Sequence, residues 1–387
     1  MAQSQGTEPG RAAQESAAAF DEMLAELAGR RQEFREQRYV SKDFVHRLKG
    51  LGLYRSATPE QFGGQTMPPA EFLKKIERIS AVDGSTGWVA SFGSQLVYLG
   101  SLPLETQAKL YADGPDVVFA GALFPIQQAT PTERGFLVNG RWKFASGCMA
   151  ADIICVGIPG DDSTSGKPRG ALVRPEHLEI VQDWDVVGMR GTGSFDLVAD
   201  DVEVDREWTF IRGGEPVVDE PLYRYPAITY AAQSLSVVSA GVARTALDFA
   251  KEVGSGRAGI TGAPKLADRA YYRAGIAEAE AVLRSARAYF YEAADEAWQT
   301  LVAGGLVSDE QNAHLRLSAA HLARTSSEVV HKVVSLSGTA AIYRDHPLQA
   351  LLGDALVPQE HAFLSPAMYD AAGAVLMGRP PTVPAFR

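Results

Sequence analysis

The run Gly140-Arg141-Trp142-Lys143-Phe144-Ala145-Ser146-Gly147 holds the first residues that could do chemistry. Trp142 and Phe144 alternate as on a β-strand, and Asn139-Gly140 ahead of them reads as a hairpin turn. Ser146-Gly147 ends the strand with a hydroxyl displayed where the backbone can approach a ligand closely. A surface hairpin in an all-β domain would look the same on this stretch alone. A second concentration is Gly188-Met189-Arg190-Gly191-Thr192-Gly193-Ser194, whose glycines give a flexible turn with exposed backbone N–H groups for an anion or a cofactor. A tight barrel turn with Arg190 solvated or paired fits it equally.

Other chemistries find little support. Of seven histidines, His314 and His321 stand seven apart, and no His-Glu-x-x-His appears, so no metal site is expected. No Gly-x-Ser-x-Gly elbow points to a serine hydrolase, no Gly-x-Gly-x-x-Gly heads a βαβ unit, and no P-loop exists. Cys148 and Cys155 do not make a disulfide framework and read as buried, inert thiols in a reducing cytoplasm. The net charge of −10, without a basic block, argues against nucleic acid as the main partner. No run approaches the ~18 apolar residues of a membrane span, and the N-terminus lacks the pattern of a secretory signal.

The elements that must position these residues fall into three lobes. With 46% hydrophobic and 22% charged residues, the 387-residue chain reads as globular with a large core. Residues 1–15 have almost no large apolar side chains and read as a disordered tail. Residues 16–112 carry helical spacing, as in Phe20, Met23, Leu24 and Leu27; the segment from Asp83 to Trp88 breaks one helix and starts another through Val89, Phe92, Leu96 and Leu99. Residues 113–220 hold short β-rich runs, 117–124, 135–146, 153–158, 170–173 and 194–204, expected to form an antiparallel barrel or sandwich. Residues 221–387 return to helix, with a capping-box pattern at Ser308-Asp309-Glu310-Gln311 and stripes of small residues that suit a bundle.

The Trp-x-Phe-x-Ser-Gly form of the first stretch resembles the flavin-contacting strand of the acyl-CoA dehydrogenase superfamily. Within it, the likeness is to two-component (group D) flavin monooxygenases, such as the oxygenase component of p-hydroxyphenylacetate hydroxylase. Asp83-Gly84-Ser85-Thr86-Gly87-Trp88 and Gly188 to Ser194 resemble further elements of that branch, and Tyr343 to Asp354 resembles an element of the wider superfamily. The resemblance implies an α+β, mostly α fold: an N-terminal helical domain, a central antiparallel β-barrel and a C-terminal four-helix bundle. It implies that Ser146 bonds the flavin N5 edge, with Trp142, Phe144, Arg190 and Thr192 also against the cofactor. Arg257, in Gly256-Arg257-Ala258-Gly259, and Ser337-Gly338-Thr339 resemble places that meet the cofactor across subunits of a homotetramer.

In the last segment Asp354 leads to His361, which the resemblance implies as the acid or base, since an imidazole with a pKa near neutrality trades protons readily. Acyl-CoA dehydrogenases of the short- and medium-chain type place a catalytic Glu where Ala362 stands here, which disfavours dehydrogenation. Ala350 and Gly353 replace family arginines, so the family's local ion pairs are expected to be absent. Gln95 stands near a substrate-holding histidine of relatives; with Tyr98, Phe119, Phe124 and His361 it is a candidate for the substrate pocket. The implied activity is that of an oxygenase component. A separate NAD(P)H-dependent reductase supplies reduced FMN or FAD, O2 gives a C4a-hydroperoxyflavin, and a small substrate is hydroxylated or N-oxygenated. An acyl-CoA dehydrogenase-type enzyme and a non-catalytic homologue remain as alternatives.

Overall fold

A computed structural model describes residues 8–256, 264–384 and 386, and the chain in it runs from helices to strands and back to helices. The first helix, α1 (Glu8–Gln37), begins inside the stretch expected to be a tail; residues 1–7 lie outside the description. Its Phe20, Met23, Leu27 and Phe34 are buried at the expected helical spacing. Helices α2 (Lys42–Gly50), α3 (Pro69–Val82), α4 (Gly84–Ser91) and α5 (Leu104–Leu110) complete the first lobe. Asp83 caps α4, its carboxylate accepting from the Thr86 backbone N–H and hydroxyl, both at 2.7 Å. The helix expected to run through Leu99 instead turns 3-10 over Phe92–Ser101. Ser91 and Ser94 donate to carbonyls three residues back, at 2.7 and 2.8 Å, and this local bonding competes with the α-helical ladder.

The middle lobe is two four-stranded sheets. One runs β1 (Phe119–Ala122), β4 (Ile153–Ile158), β5 (Arg169–Val173), β8 (Thr209–Ile211); the other runs β2 (Ala129–Pro131), β3 (Gly135–Ala145), β7 (Phe195–Asp205), β6 (Glu179–Val181). Every pair is antiparallel except β1 with β4, because the chain crosses to the second sheet for β2 and β3 before it returns. Asn139-Gly140 is not a hairpin turn: it is a bulge inside β3. Gly140 has φ +145, and Asn139 is tied across to Asp201 by two hydrogen bonds of 3.0 and 2.8 Å.

The last lobe packs α6 (Ala227–Ser255), α7 (Ala270–Val302), α8 (Asp309–Leu336) and α9 (Pro347–Glu360) together, with α10 (Ala367–Leu376) added against α8. The Ser308 capping box forms as expected, with Ser308 and Gln311 each accepting the other's backbone N–H at 3.1 and 3.0 Å.

Candidate functional site

Ser146 is 6% exposed and sits where three segments meet. Its Oγ accepts the indole N–H of Trp88, from α4, at 3.1 Å and lies 2.7 Å from Ser194 Oγ. Ser194 Oγ lies 2.6 Å from Thr192 Oγ1, and Thr192 donates to the Met189 carbonyl at 2.9 Å. Each hydroxyl has one proton to give, and the relay takes one direction when that of Thr192 goes to the Met189 carbonyl, which also accepts the Trp184 indole N–H at 3.1 Å. Thr192 spends its proton on Met189, so Ser194 donates to Thr192 and Ser146 donates to Ser194. Ser146 Oγ then has a lone pair to offer and its proton committed to Ser194. That fits the N5–H donor of reduced flavin and not the N5 acceptor of oxidised flavin.

The strand leading to Ser146 departs from the expected alternation. Trp142 is fully buried between the sheets and donates to the Gly157 carbonyl at 2.8 Å, so it offers no surface to a cofactor. Phe144, two residues on, is 63% exposed and lies edge-on to Trp184. A register shift between Trp142 and Ala145, with Phe144 at φ +66, turns the second aromatic outward beside Ser146.

The 188–194 loop is pinned. Met189 N–H donates to Asp354 at 2.6 Å and Gly191 N–H to Ser85 Oγ at 3.0 Å. Those two backbone donors, expected to be free for an anion, are therefore spent within the protein. Thr192 is buried in the relay, while Arg190 is half-buried, donates to the Val186 carbonyl and pairs with Asp185 at 3.5 Å. Gly353, in place of an arginine, lets α9 butt against the loop: a β-carbon on Gly188 would lie 1.9 Å from the Gly353 carbonyl oxygen. Asp354 keeps an ion pair after all, with Arg35 at 3.5 Å, although burial raises its pKa to about 6.

His361 caps the C-terminal end of α9, its ring 6.1 Å from that of Trp88 and 4.9 Å from Phe363. Burial, helped by the positive charges of Arg212 and Arg316, pulls its pKa down to about 4, not near neutrality as expected. Its Nδ1 accepts the Phe363 N–H at 3.2 Å, which puts the proton of the neutral ring on Nε2. At neutral pH His361 is therefore an Nε2–H donor. Ala362 is exposed and carries no base, and Glu360 is exposed at the end of α9.

The remaining expected site residues are scattered. Tyr98 is buried against Phe210, with its hydroxyl unpaired. Gln95 is half-buried on the same 3-10 helix, Phe124 is 55% exposed under the Arg212 guanidinium, and Phe119 is 4% exposed in the core. Ser337 caps the end of α8, Gly338 and Thr339 open the 3-10 turn after it, and none of the three makes a hydrogen bond or ring contact with the Ser146 cluster; Arg257 lies outside the described residues. Cys148 and Cys155 are buried, and burial pushes both thiols up to about 12. A concavity of about 390 Å3 lined by Lys251, Tyr272, Arg273 and Glu280 contains none of the groups above. Sequence reasoning missed Trp88 and Ser194 as working parts, though both lie in motifs it quoted, and missed Arg212 and Arg316 entirely. Arg316 stands three residues before Ala319 and seven before Ala323, on the buried face of α8, and that position was its only signal.

Residues 7–109 match the acyl-CoA dehydrogenase N-terminal domain, and residues 233–366 the acyl-CoA dehydrogenase C-terminal domain. The chain belongs to the acyl-CoA dehydrogenase superfamily. Within it the similarity is to flavin-dependent monooxygenases. The chain is 47% identical to an indole-3-acetate monooxygenase of Pseudomonas putida over 95% of each chain. It is 29% identical to the oxygenase subunit HsaA, a flavin-dependent monooxygenase of Mycobacterium tuberculosis, over 96% of this chain and 97% of that one. The crystal structure of the HsaA monooxygenase from that organism superposes with a TM-score of 0.87 over 97% of this chain and 100% of that one, at 27% identity.

Proposed function

We propose that the chain is the oxygenase component of a two-component flavin monooxygenase, acting on a small aromatic substrate of the kind named for its relatives. The observation that carries this reading is the Ser146–Ser194–Thr192 relay, which, with Thr192 donating to Met189, leaves Ser146 to accept a hydrogen bond and not to donate one. Reduced flavin supplies the two electrons that activate O2, one oxygen atom passing to the substrate and the other leaving as water. Ser146 would hold the N5 edge of the reduced ring, and Trp88 fixes Ser146. His361 presents Nε2–H as a neutral donor toward oxygen or substrate, in surroundings made apolar by Trp88 and Phe363. FMN and FAD share the ring that Ser146 meets, so this hydroxyl accepts either.

The flavin arrives already reduced from a separate NAD(P)H-dependent reductase. The protein works in the cytoplasm, where its two buried thiols stay reduced. It assembles as a homotetramer, for which Ile342 and Tyr343, 74% and 68% exposed beside Ser337–Thr339, offer apolar surface. The test is to supply chemically reduced flavin with 18O2 and indole-3-acetate, or other small aromatics, and to look for one labelled oxygen in the product. A labelled product is expected, with no oxidation of NADH by the pure chain. Consumption of the substrate without label, or with turnover driven by oxidised flavin, would overturn the reading.

A further inference from the structure

Arg316, on α8, is 1% exposed, and its Nε and Nη1 have no hydrogen-bond partner. Its Nη2 faces only the Met368 thioether, at 2.8 Å, a weak acceptor. No carboxylate of the described residues forms an ion pair with it. Burial and the neighbouring Arg212 lower its pKa to about 10, so it is still a cation at neutral pH. An unpaired guanidinium in the interior is costly, and folds keep one where something else completes it.

A second guanidinium shares the place. Arg212, just past β8, is half-buried, also lacks an ion pair among the described residues, and lies 5.0 Å over the Phe363 ring; Arg316 lies 5.5 Å from the same ring. Two like charges on one ring repel unless an anion sits with them. Tyr98 adds a buried, unpaired hydroxyl that stays protonated and feels both arginine charges. The cluster is joined to the reacting end through ring contacts: Phe363 touches His361, His361 touches Trp88, and Trp88 bonds Ser146.

We propose that Arg316, Arg212 and the Tyr98 hydroxyl form a carboxylate site that seats the acid group of an aromatic acid, the ring of the substrate lying toward His361 and Trp88. This rests on the oxygenase reading for the identity of the ligand as substrate. The guanidinium forks and the phenol are all donors, matched to the acceptor-only oxygens of a carboxylate and not to a neutral amide.

The test is equilibrium binding to the full chain, without flavin or oxygen, of phenylacetate and indole-3-acetate beside their amides. Each acid that binds should do so roughly tenfold or more tighter than its amide, the size of a charge-assisted bond. Arg316→Gln should erase that difference while leaving amide affinity in place, and should raise the melting temperature because it removes a buried unpaired charge. Arg212→Gln, at the more exposed member, should shrink the difference without unfolding. Equal binding of acid and amide, no binding of either, an acid preference that survives Arg316→Gln, or a lowered melting temperature in that variant would each overturn the proposal. Because no turnover is measured, a failed oxygenation assay leaves this result standing, and the reverse also holds.

Discussion

The two ends of the site are built on opposite terms. Around Ser146 every hydroxyl has its partner, and the Trp88, Ser194 and Thr192 bonds run in one direction to a backbone carbonyl. Around Phe363 two guanidiniums share one ring with no acceptor among the described residues beyond the Met368 thioether, and the buried Tyr98 phenol has none. A satisfied network is rigid and chooses which partner it will take. An unsatisfied one stores a cost that a ligand removes. His361 lies between them, its pKa lowered by burial and by the charges at one end, and in ring contact with the indole that serves the other.

The largest break in this contrast is expected at His361. Removing its Nε2–H donor in His361→Ala should lower product per oxygen consumed by ~10²-fold, the effect of losing one donor aimed at developing charge. Oxygen uptake should continue with release of hydrogen peroxide, measured by coupled peroxide assay. Unchanged coupling would return His361 to a purely structural place beside Phe363.

Next comes the pinned loop that sets the relay. Gly188→Ala would drive a β-carbon to within 1.9 Å of the Gly353 carbonyl oxygen. It should destabilise the fold by about 1–3 kcal/mol, as overpacking does, and is read by chemical denaturation. A neutral effect would mean that α9 and the loop part easily, and that the relay is not held by this contact.

Ser194→Ala sharpens the comparison at smaller scale. It frees the Ser146 proton, so the preference for reduced over oxidised flavin should fall by roughly two- to tenfold, the worth of one hydrogen bond of ~0.5–1.5 kcal/mol. An anaerobic titration of both redox forms into the variant reads it directly. A preference as large as the wild type's would show that the relay does not direct Ser146.

The smallest effects are in pH dependence, and they have opposite signs. His361 has a native pKa of about 4 against an ordinary 6.5, so between those values the unfolded chain binds the extra proton and stability falls as pH falls. Asp354 has a native pKa of about 6 against 3.8, so in that window the native state binds the proton and stability rises as pH falls. Denaturation of His361→Gln and Asp354→Asn across pH 4–6.5 should therefore change the slope in opposite directions. A common direction would contradict the assigned burial of one of them.

Much of the fold was legible because helical spacing marks buried faces directly, as at Phe20, Met23 and Leu27, and because Asp83 and Ser308 are caps with local partners. Strands β2, β6 and β8 were not, since three residues carry too little alternation to register. Alternation also put Trp142 and Phe144 on one face, and only the bulge between them sends one inside and the other out. In the site, Ser146, Thr192 and His361 stood out by type and motif. Their working states did not: the acceptor role of Ser146 depends on Ser194 across a sheet, and the lowered pKa of His361 on its burial first and then on Arg212 and Arg316 brought from distant segments.

The most direct test of the account is an anaerobic titration of the wild-type chain with reduced and with oxidised flavin. The Ser146 relay predicts that reduced flavin binds more tightly, because only it brings an N5–H to an oxygen that has no proton left to give. Equal affinities, or tighter binding of the oxidised form, would contradict it.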